Sequence, residues 1–81
     1  MNILEETKKR FIMEFGDSYD PNNEWNYDLI EDNNLIEVRS EDNTPILGFV
    51  NCLIQTLNDW GKDTNSYIID IHYYKVIVIE K

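Results

Sequence analysis

Apolar residues follow a helical period in two stretches of the chain and alternate with polar residues in two others. In residues 2–16, Leu4 and Phe15 belong to an apolar stripe at helical spacing, and basic residues lie on or beside the opposite face. Asn2 is a suitable N-cap, and Gly16 is a suitable residue to end a helix. We therefore predict an amphipathic helix over residues 2–16.

Residues 25–39 alternate in the manner of a β-hairpin. A turn centred on Asp32 and Asn33 would place Asp28 opposite Glu37, two like charges that destabilise a hairpin when they face each other. A slip of one residue would mix the two faces, so the sorting of side chains favours this pairing. One face is then wholly apolar, and the other carries Asp28, Ile30, Leu35, Glu37 and Arg39.

Residues 43–61 predict a second, central helix, with Asn43 or Thr44 as its N-cap. Gly48 and Cys52 fall on the polar side of this predicted helix. A strand over residues 46–50 followed by a shorter helix is the alternative, because Gly48 and β-branched residues weaken a helix. The apolar stripe of the helix, which we assign to the core, contains Ile46, Val50, Leu53, Leu57 and Trp60.

Residues 66–80 are strand-like over a length that exceeds a typical strand of about 5–6 residues. We expect a hairpin that turns near residues 72–75, with a single bent strand as the alternative. The hairpin would place four apolar residues on one face: Ile69, Ile71, Val76 and Val78. The chain is thus predicted to be one α+β domain over residues 1–81, of order α-β-β-α-β-β, with both helices on one face of a small antiparallel sheet.

Negative charge is concentrated in residues 17–42, which hold nine carboxylates and one cation, Arg39. The whole chain carries a formal net charge of −9, so nearly all of it lies in this segment. A protein that binds nucleic acid needs a Lys/Arg patch to neutralise phosphates, and this chain has none. Direct binding to nucleic acid or to an anionic membrane is therefore not expected, and the expected partner is a protein with a basic surface.

The outer face of the first hairpin is the candidate site. It combines aliphatic side chains, which can be buried against a partner, with carboxylates, which can steer and orient a basic partner. The competing interpretations are a solvated acidic face that serves solubility and an outer face that is covered by the protein's own elements. The candidate partner-binding residues are Asp28, Ile30, Glu31, Asp32, Leu35, Glu37, Glu41 and Asp42.

No other pattern predicts chemistry, so we expect no catalytic residues, no metal site and no cofactor. Asp17 and Asp20 lie in a loop rich in oxygen ligands, but its spacing does not match an EF-hand and favours a turn-forming role. His72 has no nucleophile at a suitable spacing, and Cys52 is a lone cysteine. The single cysteine favours a reducing, cytoplasmic setting, and we expect neither a signal peptide nor a membrane span.

In size and in charge the whole chain resembles small acidic phage-encoded inhibitors of nucleic-acid enzymes, such as anti-CRISPR proteins, anti-restriction proteins and uracil-glycosylase inhibitors. No motif carries individual residues over from these families. The resemblance implies an inhibitor, not an enzyme, that occupies the basic groove of a target such as a Cas enzyme in the cytoplasm of a host cell. The alternatives are an immunity protein or antitoxin that neutralises a basic toxin, and a small ligand- or metal-binding subunit. We expect a monomer or a homodimer.

Overall fold

A computed structural model describes residues 2–81 as two α-helices and a four-stranded antiparallel sheet, which confirms the predicted α+β class and the order α-β-β-α-β-β. A 3-10 turn at Thr64–Ser66 precedes the third strand. The elements are α1 (Ile3–Phe15), β1 (Asp28–Asp32), β2 (Leu35–Arg39), α2 (Asn43–Asp59), β3 (Tyr67–Ile71) and β4 (Lys75–Glu80).

Helix α1 begins and ends where its sequence predicts. The side chain of Asn2 accepts a hydrogen bond from the backbone N–H of Leu4 at 2.8 Å, which satisfies one of the free donors of the first turn. The chain leaves the helix at Gly16, whose φ of 80° is strained for any residue with a side chain. Its N–H donates to the carbonyl of Ile12 at 2.7 Å, which closes the last turn.

The strands are ordered β1-β2-β4-β3, so the two hairpins meet in the middle of the sheet through β2 and β4. The second hairpin is confirmed: β3 and β4 pair directly, and the turn between them is closed by the N–H of His72, which donates to the carbonyl of Lys75 at 2.7 Å. Ile69 lies opposite Val78, and Ile71 lies opposite Val76, so these four share one face as predicted.

The register predicted for the first hairpin is wrong by two residues. Asp28 lies opposite Arg39, not Glu37, and the two central turn residues are Asn33 and Asn34. A shift of two residues leaves every side chain on its predicted face, so the apolar pattern cannot distinguish the two registers. Charge distinguishes them, because the observed pairing sets an acid against a base where the predicted one opposed two acids. The strand is also shorter than predicted, since β1 begins only at Asp28.

Helix α2 is continuous, which excludes the alternative of a strand over residues 46–50. The N-cap of α2 is Asp42, whereas the sequence predicts Asn43 or Thr44. The carboxylate of Asp42 accepts a hydrogen bond from the N–H of Thr44 at 2.9 Å. The assignment of Gly48 and Cys52 to the polar side is also wrong, because both are buried. Gly48 faces the ring of Phe15 in α1, so the contact between the two helices includes a side that looks polar on the sequence alone.

The core joins buried side chains of both helices to those of one face of the sheet. From the strands it takes Ile36, Val38, Val76 and Val78, which are at most 2% exposed. The helical part includes Ile3, Leu4, Phe11, Phe15, Ile46, Phe49, Cys52, Leu53 and Leu57. Within residues 2–81, no helix is long and apolar enough to cross a bilayer.

Candidate partner-binding surface

The four strands place their other side chains on the opposite side of the sheet from these core residues. We call this side the open face, because none of its residues is buried. Its members are Asp28, Ile30, Asp32, Leu35, Glu37, Arg39, Ile68, Asp70, Lys75, Ile77 and Ile79.

Five of the eight predicted site residues lie together on the open face. They come from the adjacent strands β1 and β2 and are Asp28, Ile30, Asp32, Leu35 and Glu37. Ile30 lies directly opposite Glu37, and Asp32 lies directly opposite Leu35, so acids and aliphatics alternate across the hairpin. Ile30 is 42% exposed, and Leu35 is partly exposed. The predicted mixture of carboxylates and aliphatic side chains is therefore displayed on a regular sheet.

Glu37 is the least exposed acid of the open face, with 12% of its side chain accessible, and it forms an ion pair with Arg39 two residues along the same strand. The open face also carries Lys75 next to Arg39. Its formal charge is therefore less negative than the hairpin sequence suggests, because four acids are set against two bases.

Glu31 does not belong to the open face. It lies opposite Ile36, on the side of the sheet that contributes to the core, and its carboxylate binds Lys8 of α1 at 2.9 Å. The hydrogen bond to Glu31 is the main reason that the pKa of Lys8 is raised above its usual value. Glu31 therefore ties the first hairpin to α1, and it faces away from the acids with which the sequence grouped it.

Glu41 and Asp42 follow β2 in the bend that leads into α2. Asp42 caps that helix, so its carboxylate already has a backbone partner. Glu41 is exposed and lines a cleft of about 330 Å³ with Asp28, Tyr74 and others. Ser40 anchors this bend, because its hydroxyl donates to the carbonyl of Asn26 at 2.8 Å. Glu41 thus adjoins the end of the open face that Asp28 marks.

The second hairpin supplies open-face residues that the sequence did not identify. Ile68, Ile77 and Ile79 extend the aliphatic surface, and Asp70 adds an acid. Ile68 is 49% exposed, while Ile77 and Ile79 are partly exposed. The signal was available in the alternation of residues 66–80, because placing Ile69 and Val78 in the core leaves their neighbours on the other face.

The acid-rich loop after α1 uses its side chains to shape its own backbone. Asp17 accepts from the N–H of Tyr19, and Asp20 accepts from that of Asn22, both at 2.9 Å. These are Asx-type turns, in which a short acidic or amide side chain caps a backbone donor two residues on. Among residues 2–81 no three acid, His or Cys side chains converge in a way that could hold a metal ion.

Cys52 is buried, and its thiol lies 3.7 Å from a carboxylate oxygen of Glu14. Burial is the largest of the causes that raise the pKa of Cys52 to about 11, and the nearby carboxylate adds to it. A thiol is a nucleophile only as the thiolate. Cys52 is therefore held in its unreactive form at neutral pH and is a core residue.

Comparison with protein-family models, with curated proteins and with solved structures gave no match.

Proposed function

We propose that this chain is a non-enzymatic, acidic protein-binding inhibitor that occupies a basic, nucleic-acid-binding surface of a target enzyme. The observation that carries the proposal is the alternation of exposed aliphatics and carboxylates on the open face. Ile30 and Leu35 lie among Asp28, Asp32 and Glu37 on two directly paired strands. A surface that serves solubility alone gains nothing from the partly exposed aliphatic residues at its centre.

The chemistry of such a surface matches a groove built for a phosphate backbone. The target's Lys and Arg side chains would be neutralised by carboxylates where they otherwise neutralise phosphates. The aliphatic residues contribute burial that phosphates lack, because a target's basic residues have long apolar stems that can cover them. Charge would accelerate and orient the encounter, and apolar burial would slow dissociation.

A rigid sheet suits this role better than an acidic tail. The side chains of β1 and β2 are held at fixed spacing by backbone pairing, and β2 is paired on both sides. Less conformational entropy is then lost when the partner binds. The surface would therefore discriminate between partners by geometry as well as by net charge.

The proposal is tested by immobilising the protein, capturing partners from a bacterial lysate and repeating the capture with the double variant Asp28→Lys/Glu37→Lys. We expect a partner that is retained at about 0.1 M salt and released at about 0.5 M, because salt screens exposed charges over this range. The partner's own nucleic acid should compete with the immobilised protein. The double variant should lose the partner.

The matched control is Glu14→Lys/Glu24→Lys, which changes the net charge equally but leaves the open face intact, since both acids are exposed and lie outside the sheet. It should retain most of the binding. If both double variants lose the partner equally, the binding depends on net charge alone and not on the open face. Retention of the partner by Asp28→Lys/Glu37→Lys, or a partner that nucleic acid fails to displace, would contradict the proposal. A captured toxin in place of a nucleic-acid enzyme would identify an immunity protein.

A further inference from the structure

The aliphatic side chains of the open face form a continuous band across the strands, wider than the first hairpin. The register places Leu35 beside Ile79, and Ile79 beside Ile68, on three adjacent strands. The next row of the same face, two residues along, contains Ile30 and Ile77. Five aliphatic residues from all four strands are thus exposed or partly exposed on one side of the sheet.

The charges of the open face are sorted around this band. Asp32 ends the row of Leu35, while Glu37 and Asp70 stand in the next row on either side of Ile77. The two bases, Arg39 and Lys75, lie one row further away, opposite each other on β2 and β4. Asp32 and Asp70 therefore border the aliphatic band, while Glu37 lies within it between Ile30 and Ile77 and is ion-paired with Arg39.

We infer that the open face binds a basic amphipathic helix of the partner. This inference rests on the proposed function and specifies the element of the target that is recognised. The apolar stripe of the helix would cover the band centred on Ile79 and Ile77. Its flanking Lys and Arg residues would reach Asp32, Glu37 and Asp70.

The part of the band that lies on β2, β4 and β3 has the width of a helix. Three adjacent strands span about 10 Å across a sheet, because neighbouring strands are about 4.8 Å apart. An α-helix with its side chains is about 10–12 Å in diameter, so one helix can cover the band from β2 to β3. This arrangement corresponds to helix-on-sheet packing, the same solution that proteins use to bury one apolar face of a sheet.

Charge argues for a basic helix over the other occupants of such a surface. A second copy of this chain would bring two bodies of net charge −9 together, and the acidic border of one band would meet that of the other. A nucleic acid would place its phosphates beside the same acids. A helix with an apolar stripe flanked by Lys and Arg matches both the band and its border.

The inference is tested with two synthetic peptides made only of leucine and lysine. In the first, the leucines form one stripe of a helix, and in the second the same residues are scrambled so that no stripe exists. Binding is followed by NMR with uniformly ¹⁵N-labelled protein. We expect the striped peptide to perturb the amides of β2, β3 and β4, and to bind at least tenfold more tightly than the scrambled one.

Two double variants make the test specific. Ile68→Thr/Ile77→Thr removes aliphatic surface from the band and keeps β-branched residues suited to strands, so the fold should be retained. This double variant should bind the striped peptide at least tenfold more weakly than the parent protein does. Leu47→Gln/Ile54→Gln is the control, because these residues are 51% and 42% exposed on α2, and it should leave binding unchanged.

Each remaining outcome would overturn the inference. Equal binding of the two peptides, or no loss in Ile68→Thr/Ile77→Thr, would show that charge alone is recognised, which leaves the proposed inhibitor function standing. No binding of the striped peptide would exclude a helical occupant, whereas the inhibitor function depends separately on the partner capture. A dimer in sedimentation that dissociates in Ile68→Thr/Ile77→Thr would assign the open face to a second copy of the chain.

Discussion

Gly48 of α2 lies directly against the ring of Phe15 of α1: a Cβ atom built on Gly48 would be 2.3 Å from two carbons of that ring. Real side chains do not approach this closely, so the absence of a side chain at Gly48 allows the two helices to reach their observed separation. A glycine inside a helix costs about 1 kcal/mol relative to alanine. The packing of Phe15 at this position offsets that cost.

Replacing Gly48 with alanine should therefore destabilise the protein, even though alanine favours a helix. We expect Gly48→Ala to lower the free energy of unfolding by up to roughly 2 kcal/mol, because an overpacking cost of about 1–3 kcal/mol is partly offset by the gain of about 1 kcal/mol that alanine brings to a helix. Urea unfolding followed by circular dichroism measures it. Asn51→Ala is the control, because it makes the helix-favouring change at an exposed position of α2 and should be neutral or slightly stabilising. A Gly48→Ala protein that is more stable than the parent by about 1 kcal/mol, the gain expected of alanine at an open helix position, contradicts the close contact.

A second variant distinguishes the contact from a general effect on the helix. Phe15→Leu removes the ring carbons that the new methyl group would meet. In the double variant Phe15→Leu/Gly48→Ala, the added methyl should cost less than it does in the parent, by at least about 0.5 kcal/mol of coupling. Strict additivity of the two substitutions would indicate that the ring and Gly48 do not interact.

The register of the first hairpin can be tested by cross-linking in a Cys52→Ala background. Asp28→Cys/Arg39→Cys places two thiols directly opposite each other, within the Cα separation of about 4.4–6.8 Å that a disulfide needs. Asp28→Cys/Glu37→Cys places them on a diagonal of about 7–8 Å. We expect mild oxidation to close the first pair and not the second. Preferential closure of the second pair would support the register with Asp28 opposite Glu37.

The element order and the faces of the strands could be predicted because they depend on the periodicity of apolar residues. The register could not, because a shift of two residues preserves the period-two pattern, and only the charge of Arg39 opposite Asp28 favours the observed pairing. Gly48 was misplaced for a different reason. A helical wheel assigns faces from the polarity of side chains, and glycine has no side chain. Gly48 is buried because the ring of Phe15 in α1 packs against it.

The candidate site was predicted in composition but only partly in arrangement. Five of its eight residues share the open face because strand alternation determines their side. Glu31 and Asp42 were grouped with them because they are close in sequence. The carboxylate of Glu31 instead binds Lys8 of α1, and that of Asp42 caps the N-terminus of α2. Ile68 and Ile77 were missed because they come from the second hairpin, and the pairing of β2 with β4 that joins the two hairpins has no local signal.

The reactivity of Cys52 should report its burial. With its pKa raised to about 11, the thiol stays protonated in the folded protein at pH 8. An unfolded cysteine has a pKa of about 8.5. We expect alkylation by iodoacetamide to be more than tenfold slower in the folded protein than in urea. Between pH 8 and pH 10 the folded rate should keep rising, whereas the unfolded rate should level off.

Glu14→Gln refines this experiment, because the carboxylate of Glu14 also raises the pKa of Cys52 while burial is the larger cause. Alkylation in the variant should be faster than in the parent but still slower than in urea. A native rate that levels off near pH 8.5 would show an accessible thiol and would contradict the buried position.

Asp42 and Glu41 are adjacent acids with different expected roles, and substitution can separate them. Asp42→Ala removes the N-cap of α2 and should lower the free energy of unfolding by about 0.5–2 kcal/mol, whereas Asp42→Asn keeps an acceptor for the N–H of Thr44 and should cost little. Glu41→Gln makes the same charge change as Asp42→Asn without touching the cap. Only Asp42→Ala should therefore have a lower temperature of thermal unfolding than the parent.

If Asp42→Asn is as unstable as Asp42→Ala, charge at the helix terminus matters more than the cap hydrogen bond. If Glu41→Gln weakens partner capture and Asp42→Asn does not, Glu41 belongs to the binding surface and Asp42 to the fold.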